Sequence, residues 1–418
     1  MEYSKLVEIY NTLSRTNSRL QKIEIISKLI KKQNTEEINK TIYLLQGKIF
    51  PHYEEKNIGM GSRLILKVIR SSTGTSLKDV EKKWKNLGDL GEVAEALIKN
   101  KKQQTLTTRK LTVERVYENI SKLADLEGQG TVNKKISLIS ELLTSAKPEE
   151  AKYIVRTVLE TLRVGVADGV IRDAIAKAFN QDVKKVERSF DILSDYGEVI
   201  KKSKQNKLDN LKLQIGRPIK AMLAIKVQNI DEAFKATGKP AQCEFKLDGF
   251  RVQIHKNNNE VKLFTRSMED VTNQFKEMIP LIIKSVNCKS CILDSEFVGY
   301  NPKTKKYLPF QKISQRIKRK YDIEKMAREF PVEANVFDIL NYNNEDTLNK
   351  TQKERREMLE KIIKEEKSRL ILTKKLITSD DRETNKFFKE ALNSGTEGLI
   401  IKNLNAKYQP GRKVHGWV

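Results

Sequence analysis

The stretch Glu244-Phe245-Lys246-Leu247-Asp248-Gly249-Phe250-Arg251 sets the fold of the second half of this 418-residue chain. Side chains alternate along a strand, so Phe245 and Leu247 share one face while Lys246 and its polar neighbours share the other. Gly249 then allows a tight turn that a residue with a Cβ would resist. Apolar residues alternate again immediately after this turn, which predicts a second strand.

Lys246 in this setting is a candidate nucleophile. A free lysine amine has a pKa of about 10.4, so it is protonated at neutral pH and cannot attack until it loses that proton. Burial or a nearby positive charge, such as a metal ion or a basic side chain, lowers that pKa. The alternative is an edge-strand lysine in a lysine-rich protein, because Lys-x-Asp-Gly-x-Arg arises by chance in roughly one chain in a hundred of this length. The motif alone leaves both interpretations open.

Composition restricts the class of protein. Hydrophobic residues make up 38% and charged residues 32% of the chain, which is typical of a globular fold and excludes a disordered chain. The net charge of +25 favours a polyanionic partner such as nucleic acid, although joint enrichment in Lys and Glu is also a thermophile signature. No apolar run reaches the length of a membrane span and no signal peptide is recognisable, so we expect a cytoplasmic protein without a membrane partner. Three cysteines exclude a disulfide framework, and a lone Cys288-x-x-Cys291 pair disfavours structural zinc.

Helical periodicity dominates the first half of the sequence. Apolar residues recur at i, i+3, i+4 and i+7, for example over residues 6–13 and 155–162, and strand-like alternation is nearly absent. We therefore predict an all-α domain over residues 1–205, followed by a polar linker over 206–214. Beyond the linker the period changes to two, which predicts a second domain, rich in strands, over residues 215–418.

Glycines of the helical half lie between predicted helices in three loops: Gly59-Met60-Gly61-Ser62-Arg63, Gly88-Asp89-Leu90-Gly91 and Gly128-Gln129-Gly130. Backbone N–H groups exposed at glycine loops and helix N-termini bind phosphates, and neighbouring basic residues add attraction. Each loop taken alone is better explained as an ordinary turn between helices. As a set on a basic domain, the loops favour contacts to duplex DNA that do not depend on base sequence.

The second half carries further patterns that place candidate site residues. Asn257-Asn258-Asn259, between two alternating runs, predicts a hairpin. Asp294 and Glu296 share one face of a strand and suit a divalent metal or a ribose diol, or else they belong to a solvated strand face. Phe337 fits a core residue on pattern alone. Residues 353–367 predict a charged helix at the surface.

Taken together, these segments resemble the ATP-dependent DNA ligases of the archaeal and eukaryotic type over essentially all 418 residues. The resemblance implies an all-α N-terminal DNA-binding domain, then an α+β nucleotidyltransferase domain built on mainly antiparallel sheets, the ATP-grasp-like ligase fold. RNA ligases and capping guanylyltransferases share the lysine motif, but a long helical N-terminal domain argues against both. An alternative from another class is a DNA-binding protein with a degenerate nucleotide pocket. The motifs that carry the resemblance lie at residues 216–224, 244–251, 264–267, 292–297, 336–340, 397–402 and 408–412.

The resemblance implies a role for each residue of the nucleotide site. Lys246 would be adenylylated by ATP, and the AMP would then pass to the 5′-phosphate of a nick before the 3′-hydroxyl displaces it. Glu244 would recognise the adenine amino group, and Phe337 would stack on the adenine ring. Arg251 and Arg266 would hold the ribose and a phosphate.

The implied metal is Mg²⁺, held by Glu296 and Glu397, with Glu296 alternatively contacting the ribose. Arg412 would contact the nucleotide phosphates. Lys402 also matches the family pattern, but strand alternation places it on the face opposite Glu397, so it is left out of the predicted site. Phosphoryl transfer is catalysed chiefly by positioning and by neutralisation of negative charge, which suits these residue types.

The implied substrate is nicked double-stranded DNA, in replication, repair and recombination. A sliding clamp is a candidate protein partner, and we expect a monomer. After Trp417 the family continues with an apolar–Lys–apolar–Lys strand and an oligonucleotide-binding barrel, neither of which this sequence contains. We therefore expect a truncated chain that binds DNA but self-adenylylates poorly, which comparison with a barrel-fused chain would test.

Overall fold

The computed structural model describes residues 1–34, 36–51, 53, 54, 56, 58–100, 110–126, 130–301, 304, 306–318, 322–411 and 416–418. These residues form two compact units. The first unit comprises Met1–Phe190 and Asp195–Asn210, and the second comprises Asp191–Ser194 and Leu211–Val418. Within the described ranges, no helix combines the length and the apolarity that crossing a membrane requires.

The N-terminal half contains twelve helices among the described residues, which confirms the all-α prediction. Ser76 and Asp89 begin two of them by accepting hydrogen bonds from backbone N–H groups of the first turn. The predicted apolar stripe of the first helix is enclosed, since Leu6, Tyr10 and Leu13 have no exposed surface. The helices are α1 Tyr3–Arg15, α2 Arg19–Lys32, α3 Glu37–Leu45, α4 Ser62–Thr73, α5 Leu77–Leu87, α6 Leu90–Lys99, α7 Val113–Ser121, α8 Thr131–Ser145, α9 Pro148–Val158, α10 Asp168–Phe179, α11 Val183–Leu193 and α12 Tyr196–Lys204.

The second of the three glycine loops is an ordinary turn fixed by packing. Gly88 ends α5 in the left-handed conformation, with φ at 71°, and Asp89 caps the start of α6. A Cβ on Gly91 would lie 2.7 Å from the carbonyl oxygen of Lys152 on α9, so this glycine serves close helix packing. The structure thus supports the turn interpretation for this loop. Residues 128–129 of the third loop lie outside the described residues.

The second unit is an α+β structure of two mainly antiparallel sheets, as predicted. The smaller sheet has the strand order β10-β1-β9, and the larger has the order β3-β2-β4-β6-β7, with β5 paired to β4 and β8 to β6. The β6–β8 pair is parallel, and the other described pairs are antiparallel. The strands are β1 Ala241–Lys246, β2 Phe250–Asn257, β3 Glu260–Thr265, β4 Ser290–Asn301, β5 Lys306–Leu308, β6 Val332–Tyr342, β7 Glu345–Asp346, β8 Leu370–Leu372, β9 Lys375–Thr378 and β10 Gly398–Asn403. The helices are α13 Ile230–Thr237, α14 Met278–Ser285, α15 Phe310–Lys318, α16 Ile323–Glu329, α17 Gln352–Ile362 and α18 Asp381–Asn393.

The turn after Lys246 carries the chain from the smaller sheet to the larger one. β1 pairs with β9 and β10, whereas β2 pairs with β3 and β4, so these consecutive strands do not form a hairpin. A Cβ on Gly249 would collide with the carbonyl oxygen of Phe297 on β4 and crowd the Glu296 side chain. Only glycine therefore permits this close passage, which holds the end of β1 beside β4. The predicted hairpin over residues 257–259 is confirmed by the pairing of β2 with β3.

α17 corrects the prediction of a charged surface helix over residues 353–367. Arg355 on this helix is fully buried and donates to both carboxylate oxygens of Asp338 on β6, at 2.7 and 3.0 Å. It also donates to the backbone carbonyl groups of Lys350 and Ala406. A charged side chain predicted to be solvated therefore anchors α17 to the larger sheet.

Candidate active site

A cavity of about 550 Å³ in the second unit is bounded by residues of both sheets. Leu223 and Ala224, from the segment that precedes the sheets, close part of its wall. Arg412, the remaining residue predicted for the site, lies outside the described residues. The predicted residues that line the cavity are Glu244, Lys246, Arg251, Arg266, Glu296, Phe337 and Glu397.

Lys246 and Glu397 form an ion pair at the exposed part of the cavity. Lys246 ends β1, and Glu397 immediately precedes β10, whose first residue, Gly398, pairs with Lys246. The backbone N–H of Glu397 donates to the carbonyl oxygen of Lys246 at 2.8 Å, and the two side chains meet as ammonium and carboxylate. Their side chains are 45% and 44% exposed, so water and solutes reach this pair.

Glu244 lies two residues before Lys246 on β1 but is buried. Its side chain is 3% exposed, and the Nζ atom of Lys402 lies 2.6 Å from its Oε2 atom. Gln242 donates to Oε1 at 2.6 Å, and Arg356 Nη1 lies 3.6 Å from the same oxygen, within ion-pair but beyond hydrogen-bond distance. Two cations and one amide therefore surround a single carboxylate.

The expectation that Lys402 faces away from Glu397 was wrong. Both Lys402 and Glu397 line the cavity, because Glu397 precedes the strand and is not governed by its alternation. Gly398, with φ at 142°, adopts a conformation that other residues rarely reach, and it separates Glu397 from the regular strand. The prediction therefore extended the two-residue alternation of side chains from β10 to Glu397, although the strand begins only at Gly398.

Arg251 is held by Asp294, so Asp294 belongs neither to a metal or ribose pair with Glu296 nor to a solvated strand face, the two interpretations that the strand pattern left open. Arg251 donates to both carboxylate oxygens of Asp294, at 2.9 and 2.5 Å, and to the carbonyl oxygen of Met222 at 2.6 Å. Asp294 has no exposed surface and does not line the cavity, whereas Glu296 does. The register of β4 against β2 is unbroken here, with Arg251 opposite Glu296 and Gln253 opposite Asp294, so the two carboxylates share a strand face and Arg251 covers Asp294.

Glu296 is a carboxylate of the cavity whose pKa is strongly raised. Burial raises its pKa to about 8, with a further upward contribution from Asp294, while Arg251 and Lys246 oppose the shift. The described residues contain no group of three metal-ligating side chains. Glu296 and Glu397 fit Mg²⁺ nonetheless, because Mg²⁺ keeps several waters and is usually bound by one or two carboxylates together with substrate phosphates.

Phe337 and Arg266 complete the predicted set. Phe337, on β6, is half-buried and packs edge-to-face against Trp417, with ring centroids 6.0 Å apart. Lys402 and Arg251 approach its ring to 4.9 and 5.2 Å. Arg266 follows β3 at the rim of the cavity and is exposed.

Sequence reasoning missed several buried polar residues around this cavity. Arg356, which faces Glu244, and Arg355 looked like members of a solvated charged helix. A signal was available, because both lie three or four residues before Leu359 on the stripe that α17 buries. Tyr408 also gave no signal, although its hydroxyl donates to Asp294 at 2.9 Å.

The chain matches two family models. Residues 221–418 match the ATP dependent DNA ligase domain, and residues 2–176 match the DNA ligase N terminus. Curated relatives include the DNA ligase of Nanoarchaeum equitans, 45% identical over 417 residues, covering 99% of this chain and 73% of that protein. The DNA ligase of Thermococcus onnurineus is 37% identical over 425 residues, covering 100% of this chain and 75% of that protein. This chain thus spans about three quarters of these relatives.

A solved structure, Pmar-Lig_PreS3, aligns with 99% of this chain and 77% of its own length. The TM-score is 0.50 and the sequence identity is 17%, so this comparison bears on the fold alone. It supports the same succession of a helical region and an α+β region.

Proposed function

This chain belongs to the ATP-dependent DNA ligase family, and on that basis we propose that it seals 5′-phosphate/3′-hydroxyl nicks in duplex DNA. Lys246 is assigned as the nucleophile that takes AMP from ATP and transfers it to the nick. The observation that carries this assignment is that Lys246 shares one cavity with the candidates for base recognition and metal binding. The matches over residues 2–176 and 221–418 support a DNA-binding domain followed by an adenylation domain.

In this proposal, adenine occupies the end of the cavity bounded by Phe337 and Glu244. The half-buried ring of Phe337 offers a surface for base stacking. A carboxylate only accepts hydrogen bonds, so Glu244 complements the 6-amino group of adenine. Arg251 is fixed by Asp294 and presents a rigid positive charge towards the ribose, whereas the exposed Arg266 can reach a phosphate.

At the opposite end, Lys246 must lose its proton before its amine attacks the α-phosphate. Glu397 holds the Lys246 ammonium group beside the cavity, so attack requires that this ion pair opens. Glu397 and Glu296 are the residues that would hold Mg²⁺, which when bound neutralises charge on the phosphates. Arg412 is proposed as a further phosphate contact, from the family pattern.

The same proposal includes the partners and setting of the protein. Its net charge of +25 supports nicked duplex DNA as the macromolecular substrate, because phosphate contacts by Lys and Arg supply most of the affinity for DNA. We further propose a monomer acting in the cytoplasm, with a sliding clamp as a candidate protein partner.

Covalent labelling tests the nucleophile directly. The chain is incubated with α-labelled ATP and Mg²⁺, denatured and separated, and the label that stays on the protein is measured for wild type and Lys246→Ala. We expect label on wild type and none on Lys246→Ala, because the phosphoramidate bond requires that amine. Lys262→Ala, which removes an exposed lysine of β3, is the matched control and should label like wild type. Label retained by Lys246→Ala would refute the assignment.

A further inference from the structure

Arg356 on α17 is a buried cation that the reaction described above does not use. Its side chain is 5% exposed, and its Nη1 atom donates to the carbonyl oxygen of Thr373 at 2.9 Å. The same Nη1 atom lies 3.6 Å from Oε1 of Glu244, and Nε donates to Glu360 at 2.9 Å. One guanidinium group thus links an exposed carboxylate to two residues, Glu244 and Thr373, that line the nucleotide cavity.

We propose that Arg356 is a positioning residue that sets the preference of the cavity for a 6-aminopurine, acting through Glu244 and Thr373. This inference rests on the proposed function, in which Glu244 receives the adenine amino group. Arg356 itself does not line the cavity, so it touches no substrate. Its effect on the base is transmitted by the two residues that it holds.

The burial of this charge argues for a role beyond stability. Taking a charged group out of water costs several kcal/mol, and replacing a buried ion pair by apolar residues is often neutral or stabilising. Here Arg356 and Lys402 both face Glu244, with side chains that are 5%, 2% and 3% exposed. An apolar side chain at 356 would fill the same space without that desolvation. The arrangement instead presents to the cavity a carboxylate with a cation facing each of its two oxygens.

The chemistry of this end of the cavity selects between purines. A carboxylate accepts a hydrogen bond from the 6-amino group of adenine and repels the 6-carbonyl oxygen of guanine. Thr373 adds a second polar group, because its buried hydroxyl has no hydrogen-bond partner among the described residues. Since Arg356 holds the Thr373 carbonyl group and faces Glu244, its loss should disturb both polar groups, which this inference places at the 6-position of the base.

The test measures nucleotide affinity with two ligands. The Kd values of wild type and Arg356→Met are determined for ATP and for purine riboside triphosphate, which lacks the 6-amino group. A hydrogen bond to a charged group is worth about 1.5–3 kcal/mol, so we expect the Kd for ATP to rise about tenfold or more. The Kd for the analogue should stay within about twofold, because the contact in question is absent there.

Matched variants separate positioning from a general structural role. Lys361→Met removes an exposed cation of the same helix and should leave both Kd values unchanged. Arg356→Lys keeps a positive charge near Glu244 but lacks the planar guanidinium group. Compared with Arg356→Met, it should therefore show part of the wild-type preference for ATP. In a Glu244→Gln background, Arg356→Met should cause little further loss for ATP.

An equal loss of affinity for ATP and for the analogue would overturn the inference, as would an unchanged ratio of their Kd values. Where Arg356→Met does not fold, Glu360→Ala takes its place, because it removes the oxygen that accepts from Arg356 Nε on the exposed side. We then expect a smaller fall in the preference for ATP, and an unchanged preference overturns the inference. A wild-type chain that prefers ATP over the analogue but never becomes labelled would refute the ligase mechanism and leave this inference standing.

Discussion

Two lysine–glutamate pairs join the same two strands of the smaller sheet, and they differ in almost every physical respect. Lys246 of β1 meets Glu397, directly before β10, with side chains 45% and 44% exposed. Lys402 of β10 meets Glu244 of β1, with side chains 2% and 3% exposed. The polarity is reversed between the pairs, since β1 supplies the lysine of the first and the glutamate of the second.

The two pairs are expected to behave differently because one is exposed to solvent and the other is enclosed by further polar side chains. An exposed pair is screened by water and holds its partners loosely, so a ligand can replace either partner at small cost. A buried pair whose second oxygen also accepts a hydrogen bond from Gln242 and faces the nearby Arg356 cannot be opened without leaving a charge unpaired. The exposed pair therefore suits a group that must move and react, and the buried pair suits a group that must keep one orientation.

The largest expected effect comes from breaking the buried pair. Lys402→Met leaves the Glu244 carboxylate short of one cation, and we expect the free energy of unfolding to fall by about 3 kcal/mol. Lys246→Met, the matched change in the exposed pair, should lower it by less than about 1 kcal/mol. Urea denaturation in a Trp84→Phe background isolates the fluorescence of Trp417, which lies in the second unit. Equal losses for the two variants would contradict the contrast between the pairs.

A comparable but pH-dependent effect on stability is expected at Glu296, which lines the cavity that both pairs share. Its pKa of about 8 in the folded state lies above its ordinary value of 4.5, so the folded protein keeps a proton that the unfolded chain releases. The contribution of Glu296 to stability is therefore complete below pH 4.5, declines as the pH rises to about 8, and is flat above that. Glu296→Gln mimics the protonated form and should remove this decline.

Thermal unfolding of Glu296→Gln and wild type checks this from pH 5 to pH 9. We expect nearly equal melting temperatures at pH 5 and a melting temperature of the variant higher by roughly 10 °C at pH 9. Glu333→Gln is the control, because that buried glutamate lies on β6 outside the cavity. A variant that is less stable than wild type at pH 9 would show that the carboxylate is stabilised in its ionised form.

The sequence predicted the residues that regular alternation controls. Strand periodicity placed Glu244 and Lys246 on one face, and both line the cavity. The change from helical to alternating periodicity separated the all-α half from the antiparallel half. The identity of Phe337 and Glu397 as candidates came from family resemblance, because each fits an ordinary core or surface position on pattern alone.

The sequence failed where local geometry or buried charge overrides the pattern. Lys402 was misplaced because alternation was extended through Gly398 to a residue outside the strand. Asp294 and Glu296 do share a face of β4, but the residue pattern could not show that Arg251 pairs with Asp294 and covers it. Arg356 was predicted to be exposed because a charged residue beside other charged residues usually is. Only the fold shows that the buried carboxylate of Glu244 lies beside it.

The smallest effect on stability is expected from the exposed pair itself. The same substitution should nevertheless have a large effect on the reaction, which distinguishes this pair from the buried one. Glu397→Gln removes one charge from a pair that water already screens, so the free energy of unfolding should change by less than about 1 kcal/mol. That change should shrink further in 1 M salt, where the screening length is about 3 Å. Covalent labelling of Lys246 from ATP and Mg²⁺ should nevertheless fall sharply, since a carboxylate assigned to the metal is lost. Glu366→Gln, at an exposed pair with Lys284 far from the cavity lining, should match it in stability and label normally. A Glu397→Gln variant that labels like wild type would place the metal on other residues and reduce the exposed pair to a surface contact.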